Sequence, residues 1–309
     1  MGANVLDSSR KQSRKVKELQ HRFEDLQRAL PLTQELNCID EIGTELSQLP
    51  NRVEEIRTRG YVFHNFLEIE IRKLIKNWED TQASRSRDLN KRRQDLMAES
   101  EKVEEALRQA VASGREHSIS RAESAIDTLE SKVQAARSAV ETIYSSLEQN
   151  VDQTYAQVDE IEWLLDQVDE ACFQLHPAEY AVLACRAEYI ERNGEEGHKG
   201  ILYLTDSRLL FERKERVVTE NTSLTTMKKE TVHELLLEVP IGQIEECKAV
   251  HKKKLLTGRQ EILKLFFTPE ADISGATIRL QDGAKNEDWV ALINRVKTGE
   301  IDKERVMGL

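Results

Sequence analysis

Proline is nearly missing from the first half of this chain. Of five prolines in 309 residues, only Pro31 and Pro50 precede Pro177. Aromatic residues make up 5% and charged residues 33%, a balance that excludes one large aromatic-packed globule. No apolar run approaches the roughly 20 residues a membrane-spanning helix needs. No apolar h-region follows the start, so an export signal is not expected. Leu6 stands where a myristoylation signal following Gly2 needs Ser or Thr. The four cysteines, Cys38, Cys172, Cys185 and Cys247, are far apart and form no CxxC pair. That spacing speaks against a zinc site and suits buried free thiols in a reducing cytoplasm. Seven histidines are scattered with no HExxH or GxSxG around them. Gly194, Gly197 and Gly200 lack the Lys-Ser/Thr ending of a phosphate loop. No catalytic residue, metal ligand or cofactor-binding residue can be singled out, and the chain is expected not to be an enzyme.

What the chain does have is charge and helical periodicity. Its net charge is −11. Up to Leu175 there are 24 basic and 33 acidic residues, and after it 21 and 23, so the excess is −9 and −2. An acidic helical half argues against general nucleic-acid binding. Val16, Leu19, Phe23, Leu26 and Leu30 step by three and four until Pro31. Leu32, Leu36, Ile39, Leu46 and Leu49 follow until Pro50. These predict two shorter helices, with a third starting at the second proline.

Residues 51–112 contain no proline and only Gly60, which predicts a helix of about 90 Å. "SGREHS" (113–118) offers a break. Beyond it Ile119, Ala122, Ile126, Leu129, Val133, Ala136, Val140, Ile143 and Leu147 form a coiled-coil seam. The seam then shifts by one residue, to Val151, Val158, Ile161, Leu165, Val168 and Cys172. The short break predicts an antiparallel hairpin folded near residue 115, with Phe63–Ile75 opposite Tyr155–Val168 and residues 11–49 packed at its base. Farther out, one seam column keeps Leu89, Leu96, Val103 and Ala110 while the other includes Arg92 and Glu99. A seam this polar predicts weak self-association. The basic run Arg85, Arg87, Lys91, Arg92 and Arg93 reads first as a solvated helix face, with an acidic partner as the sharper reading.

After Pro177 the period changes to two. "AVLACRAEYIER" reads as a strand, "NGEEGHKG" as a turn, and "ILYLTDSRLLFERK" as two strands joined at Thr205-Asp206-Ser207. Ile201, Tyr203, Leu209 and Phe211 are expected to share faces across that turn. "VHELLLEVPIGQIEECKAV", "EILKLFFTP" and "ATIRLQDG" add β-segments. A last helix, "NEDWVALINRVKTGEI", has Asn286 as its expected N-cap and Trp289, Leu292, Ile293 and Val296 on one face. Arg208 can bind an anion or pair with a neighbouring acid, and pairing is the more common use.

Several antiparallel strands closed by one amphipathic helix resemble the pleckstrin-homology (PH) superfold, specifically GRAM-like and bacterial PH-like domains. The residues that carry the resemblance are "HPAEYAVL", "GILYLTDSRLLFE" and "VPIGQIEEC", over about residues 175–298. The expected architecture is therefore multidomain. An all-α coiled-coil hairpin and bundle (1–174) precedes a PH/GRAM-like β-barrel with a closing α-helix (175–298) and a tail (299–309).

The densest basic run of the second half is "KAVHKKKLLTGRQ". Lys248, Lys252, Lys253, Lys254 and Arg259 are the candidate lipid- or anion-binding residues, with Leu255 and Leu256 placed for shallow insertion. The competing reading is a sheet edge protected by lysines. The function these features imply is a cytoplasmic, non-catalytic scaffold, peripheral on an anionic membrane through its head. Its coiled coil would serve protein partners or weak homo-oligomerisation. A purely protein-binding adaptor stays open beside it, since PH-like domains as a class include both.

Overall fold

The structure, a computed structural model, describes residues 2–190, 197–220, 228–254 and 258–306. The side chains of residues 2–9, 35, 83–87, 143, 216–220, 228–231, 252–254, 258 and 259 fall outside that description. So do the first four residues of the expected "NGEEGHKG" turn, Leu255 and Leu256, and the side chains of Arg85 and Arg87. Four helices come first: α1 (Gly2–Ala29), α2 (Thr33–Thr58), α3 (Leu67–Ser113) and α4 (Glu116–Asp169). Seven strands follow: β1 (Ala181–Ile190), β2 (Gly197–Thr205), β3 (Arg208–Glu220), β4 (Lys228–Pro240), β5 (Ile244–Lys254), β6 (Gly258–Phe267) and β7 (Gly275–Leu280). Helix α5 (Asn286–Lys297) and a 3₁₀ turn at Glu300–Glu304 end the described chain.

The chain forms two compact units, and their boundary is not the expected one near residue 174. The first comprises residues 1–49 and 70–155, the second residues 50–69 and 156–309. The ends of α2 and α4 and the start of α3 thus belong with the β-domain.

In the first unit α3 and α4 meet antiparallel. Gly114 turns the chain at φ +56°, and Lys132 donates to Glu99 at 2.6 Å, a register that fits a fold near residue 115. Residues 11–49 are expected at the hairpin's base, and this holds for the end of that stretch in α2 but not for α1. Lys15 pairs with Glu123 at 2.8 Å, Arg22 with Asp127 and Glu130 at 2.7 Å each, and Tyr155 donates to Gln48. Partner numbers rise together at a nearly constant offset, so α1 and then α2 run along α4 in the same direction. Helix α1 therefore lies toward the α3–α4 turn, and Leu19, Phe23 and Leu26 are buried there. In the polar seam column Glu99 is held within the chain by Lys132 and Lys102. The phase shift of the α4 seam falls at Val140–Tyr144, both buried, rather than after Leu147. There Tyr144 packs against Trp78 at 6.0 Å, and Trp78 fills the space a side chain at Gly43 would need.

Pro50 does not start a helix but lies inside α2, on its exposed side. Leu46, Leu49, Val53 and Ile56 form one buried stripe across it. That packing outweighs the roughly 3 kcal/mol an interior proline costs. The break comes later, so the long helix expected over 51–112 is divided. Gly60 at φ +94° ends α2 in a Schellman motif, with Tyr61 N donating to Ile56 O and Gly60 N to Arg57 O. The Arg57 guanidinium then donates to the carbonyls of Tyr61, Phe63 and His64 and pairs with Glu68. The stretch after residue 298 is not a loose tail as far as Val306. Ile301 is buried, Asn65 N donates to Glu304 O, and Val306 N donates to Val62 O.

The strands make one antiparallel sheet in the order β4-β3-β2-β1-β7-β6-β5. Helix α5 packs against β5, β6 and the 3₁₀ turn Ile241–Gln243 that joins β4 to β5. Two antiparallel meanders, β1–β4 and β5–β7, joined through the β1–β7 pair and followed by a C-terminal helix make the PH-like superfold. The order does not single out the GRAM-like kind.

One strand detail differs from expectation. The two-residue link Asp206-Ser207 pairs Leu204 with Leu209, Tyr203 with Leu210 and Leu202 with Phe211. Such a link joins residues whose numbers sum to an odd value. Tyr203 therefore shares a face with Leu210, and Leu209 and Phe211 lie on the other. Both faces are buried here. Tyr203 meets Phe173 edge-on at 5.0 Å and donates to Gln167 O, so the end of α4 and the segment after it cover its side.

Gly200 shows how closely β2 and β3 approach. A Cβ there would lie 1.9 Å from the Glu212 carbonyl oxygen, and backbone cannot move aside without breaking the ladder. Gly200→Ala is expected to cost at least the 1–3 kcal/mol typical of overpacking. Thermal melts should show this against Gly242→Ala, a position with nothing within 4 Å of an added Cβ. Equal melting temperatures for the two variants would refute it.

Candidate functional site

The candidate basic site lies on β5 and β6. Their register places Lys252 opposite Gln260, Lys253 opposite Arg259 and Lys254 opposite Gly258. The backbone thus gathers Lys252, Lys253, Lys254 and Arg259 at one end of a single antiparallel pair. Their side chains lie outside the described residues. Lys248 lies farther along β5 and belongs to a different setting. Its Nζ is 2.7 Å from Glu246 and lies over the Phe266 ring at 5.1 Å, so its charge is already answered within the strand pair.

Toward the other side of the basic end stands His251. Its Nδ1 is 3.3 Å from Glu261 and its Nε2 2.8 Å from Glu287. Among the described residues this is the one group whose ligand atoms could gather around a metal, all lying within 4.8 Å of one another. The two carboxylates engage opposite nitrogens of the ring, however. That is how an imidazole is clamped between two acids; a metal would need the lone pair and both carboxylates on one side. Asn286 sits beside it, fully buried, and does not cap α5, whose N-cap is Lys285. Its Nδ2 instead donates to Val250 O and Ile262 O. The side chain thus pins the start of α5 to β5 and β6, a use that an N-cap reading of "KNEDW" misses.

The residues behind the PH-like resemblance turn out to be a structural clip. Arg208, on β3, donates from Nε to Glu179 Oε1 and from Nη2 to Glu179 Oε2, both at 2.8 Å. It also reaches Gln174 O and Glu238. Thr205 adds a hydrogen bond to Glu179 and accepts from the backbone N–H groups of Ser207 and Arg208. Burial alone would raise the Glu179 carboxyl. Hydrogen bonds from Arg208, Thr205 and the His176 N–H outweigh it and hold the group below the usual carboxylate range. The pairing reading of Arg208 is what the geometry shows.

A second buried acid, Glu212, accepts from Cys172 N, Tyr203 Oη and the His233 ring. It fastens the segment after α4 to β3, and no sequence pattern marked it. All four cysteines are free thiols, but the expected burial fails for two of them: Cys172 and Cys38 are exposed, and Cys185 and Cys247 are half-buried. Among the described residues no helix is long and apolar enough to cross a membrane.

No family model matches the sequence, and no curated protein matches it. Among solved structures the chain is similar to the Vps36 N-terminal PH domain, at 12% identity and a TM-score of 0.26 over 41% of this chain and 86% of that one. It is similar to the Slm1 PH domain in complex with inositol-4-phosphate, at 11% identity and a TM-score of 0.23 over 40% and 97%. It is also similar to the DH/PH domains of p115-RhoGEF, at 13% identity and a TM-score of 0.25 over 94% and 98%. Likenesses this slight carry no argument about ligand or activity. The PH-like fold rests on strand order and the closing helix.

Proposed function

We propose that the protein is a non-catalytic adaptor whose PH-like domain attaches peripherally to an anionic membrane surface, while its helical part serves other proteins. The observation that carries this reading is the β5–β6 register, which puts Lys252, Lys253, Lys254 and Arg259 at one end of a strand pair. The chain after Leu175 has a charge of −2, so general attraction cannot hold it to a membrane. A local cluster can, because screening confines electrostatic effects to about 8 Å at physiological salt. Each cation near an anionic surface contributes about 1 kcal/mol, so four give weak, reversible attachment. Lys248 is left out of this set because Glu246 already holds it.

The test changes Lys252, Lys253, Lys254 and Arg259 together to Gln in the full chain. Sedimentation with phosphatidylserine-containing vesicles should be lost, sedimentation with neutral vesicles should stay absent, and the melting temperature should barely move. Unchanged vesicle binding would defeat the reading. A large drop in melting temperature would show instead that these residues guard or pack the sheet edge.

A further inference from the structure

The second unit contains an open groove of about 570 Å³, within the size range of ligand-binding clefts. Its walls come from α4 (Asp159, Glu160, Trp163), from β1 at Leu183–Arg186, and from the loop leading out of β7 into α5. Four carboxylates line it, those of Asp159, Glu160, Asp282 and Asp288, against the cations of Arg186 and Lys285. Asp159 is already paired with Arg52 at 2.5 Å and Asp282 with Arg186 at 2.8 Å. Glu160 and Asp288 have no ion-pair partner among the described residues. Burial raises the Glu160 carboxyl with no cation to offset it. The Cys185 thiol is pushed up by burial first and then by Glu160 and Asp282.

The groove also displays how it holds a cation. Arg186 lies over the Trp163 ring at 5.7 Å while donating to Asp282, a pairing of π-face and carboxylate that suits guanidinium and ammonium groups. We propose that this groove docks a Lys- or Arg-bearing segment of a partner polypeptide, its aliphatic stem along Leu183 and Trp163 and its charge at Glu160 and Asp288. An open trough suits a length of chain, whereas a free small amine would need enclosure to bind well. A phosphate or anionic headgroup is the wrong sign for these walls. The site is independent of the membrane reading and uses different residues of the same unit.

The probe is a labelled peptide of about ten residues alternating Lys and Ala, tested against the full chain. The Glu160→Gln/Asp288→Asn double variant should weaken binding by about tenfold, the loss expected for two partly exposed charge pairs. Glu101→Gln/Glu104→Gln removes the same charge from exposed positions on α3 and should leave binding unchanged. Carbodiimide coupling of the bound peptide's lysines should fall on Glu160 or Asp288 in mass-spectrometric mapping. Equal weakening by both double variants would show that the peptide reads only net charge and would overturn the proposal. Absence of binding, or coupling only at other carboxylates, would overturn it as well.

Discussion

Arg208→Ala is expected to unfold the β-domain at a markedly lower temperature, with a loss of about 3–5 kcal/mol. The side chains of Arg208 and Glu179 are 6% and 1% exposed. Removing the guanidinium therefore strands a carboxylate that water cannot reach. It also frees Gln174 O and Glu238, so two further acceptors lose their donor. Glu179→Gln should cost less, because an amide keeps part of the hydrogen bonding and leaves no orphaned anion. The pH dependence follows from the depressed carboxyl. A group whose folded pKa lies below its unfolded value contributes stability above the unfolded value, near 4.5. That stability is lost as pH falls through the folded value. Denaturant melts should therefore show wild type weakening below about pH 4.5 more steeply than Glu179→Gln. If Arg208→Ala melts like wild type, the clip is ornamental and the "TDSRLLF" pattern needs another explanation.

What the sequence made legible was periodicity, and what it concealed was direction and sharing. The change from period 3.6 to period 2 after Pro177 marked the β-domain, and the closing helix was readable from Trp289, Ile293 and Val296, all buried. Gly60 was visible as the lone glycine of a long helix. Tyr61 after it, an apolar residue following a helix-ending glycine, was the signal that the helix stopped there. Pro50 misled because local propensity cannot see the stripe of Leu46, Leu49, Val53 and Ile56 that holds α2 through it. The burial of both faces of β2 hid for the same reason. Alternation predicts one buried face, and only the tertiary cover supplied by the end of α4 buries the other. The basic cluster was legible as a run of like charge, and the register of β5 and β6 adds that Arg259 stands opposite Lys253. The acidic groove could not be read, since Glu160, Cys185 and Asp288 are far apart in sequence and meet only through the packing of α4 against β1.

A two-helix seam with Arg92 and Glu99 in one column suggests self-association, but the structure supplies the missing neighbour from the same chain. Leu19, Phe23 and Leu26 are buried, and Lys15 and Arg22 tie α1 to α4. Each such apolar side chain contributes about 1.5–3 kcal/mol by burial, roughly 6 kcal/mol for the three. That is ample to hold α1 in place, because closing a loop within one chain costs far less than recruiting a second molecule. Deleting residues 1–32 should therefore expose an apolar strip along α3 and α4 that only another copy can cover. Sedimentation equilibrium should show concentration-dependent association for the deleted chain and none driven by this seam for the full chain. Leu19→Ala/Phe23→Ala/Leu26→Ala should reproduce the effect with the chain length unchanged. Association of the full chain as strong as that of the deleted one would mean that α1 does not cover the seam. A deleted chain that stayed monomeric and fully helical would mean that α3 and α4 need no third helix at all.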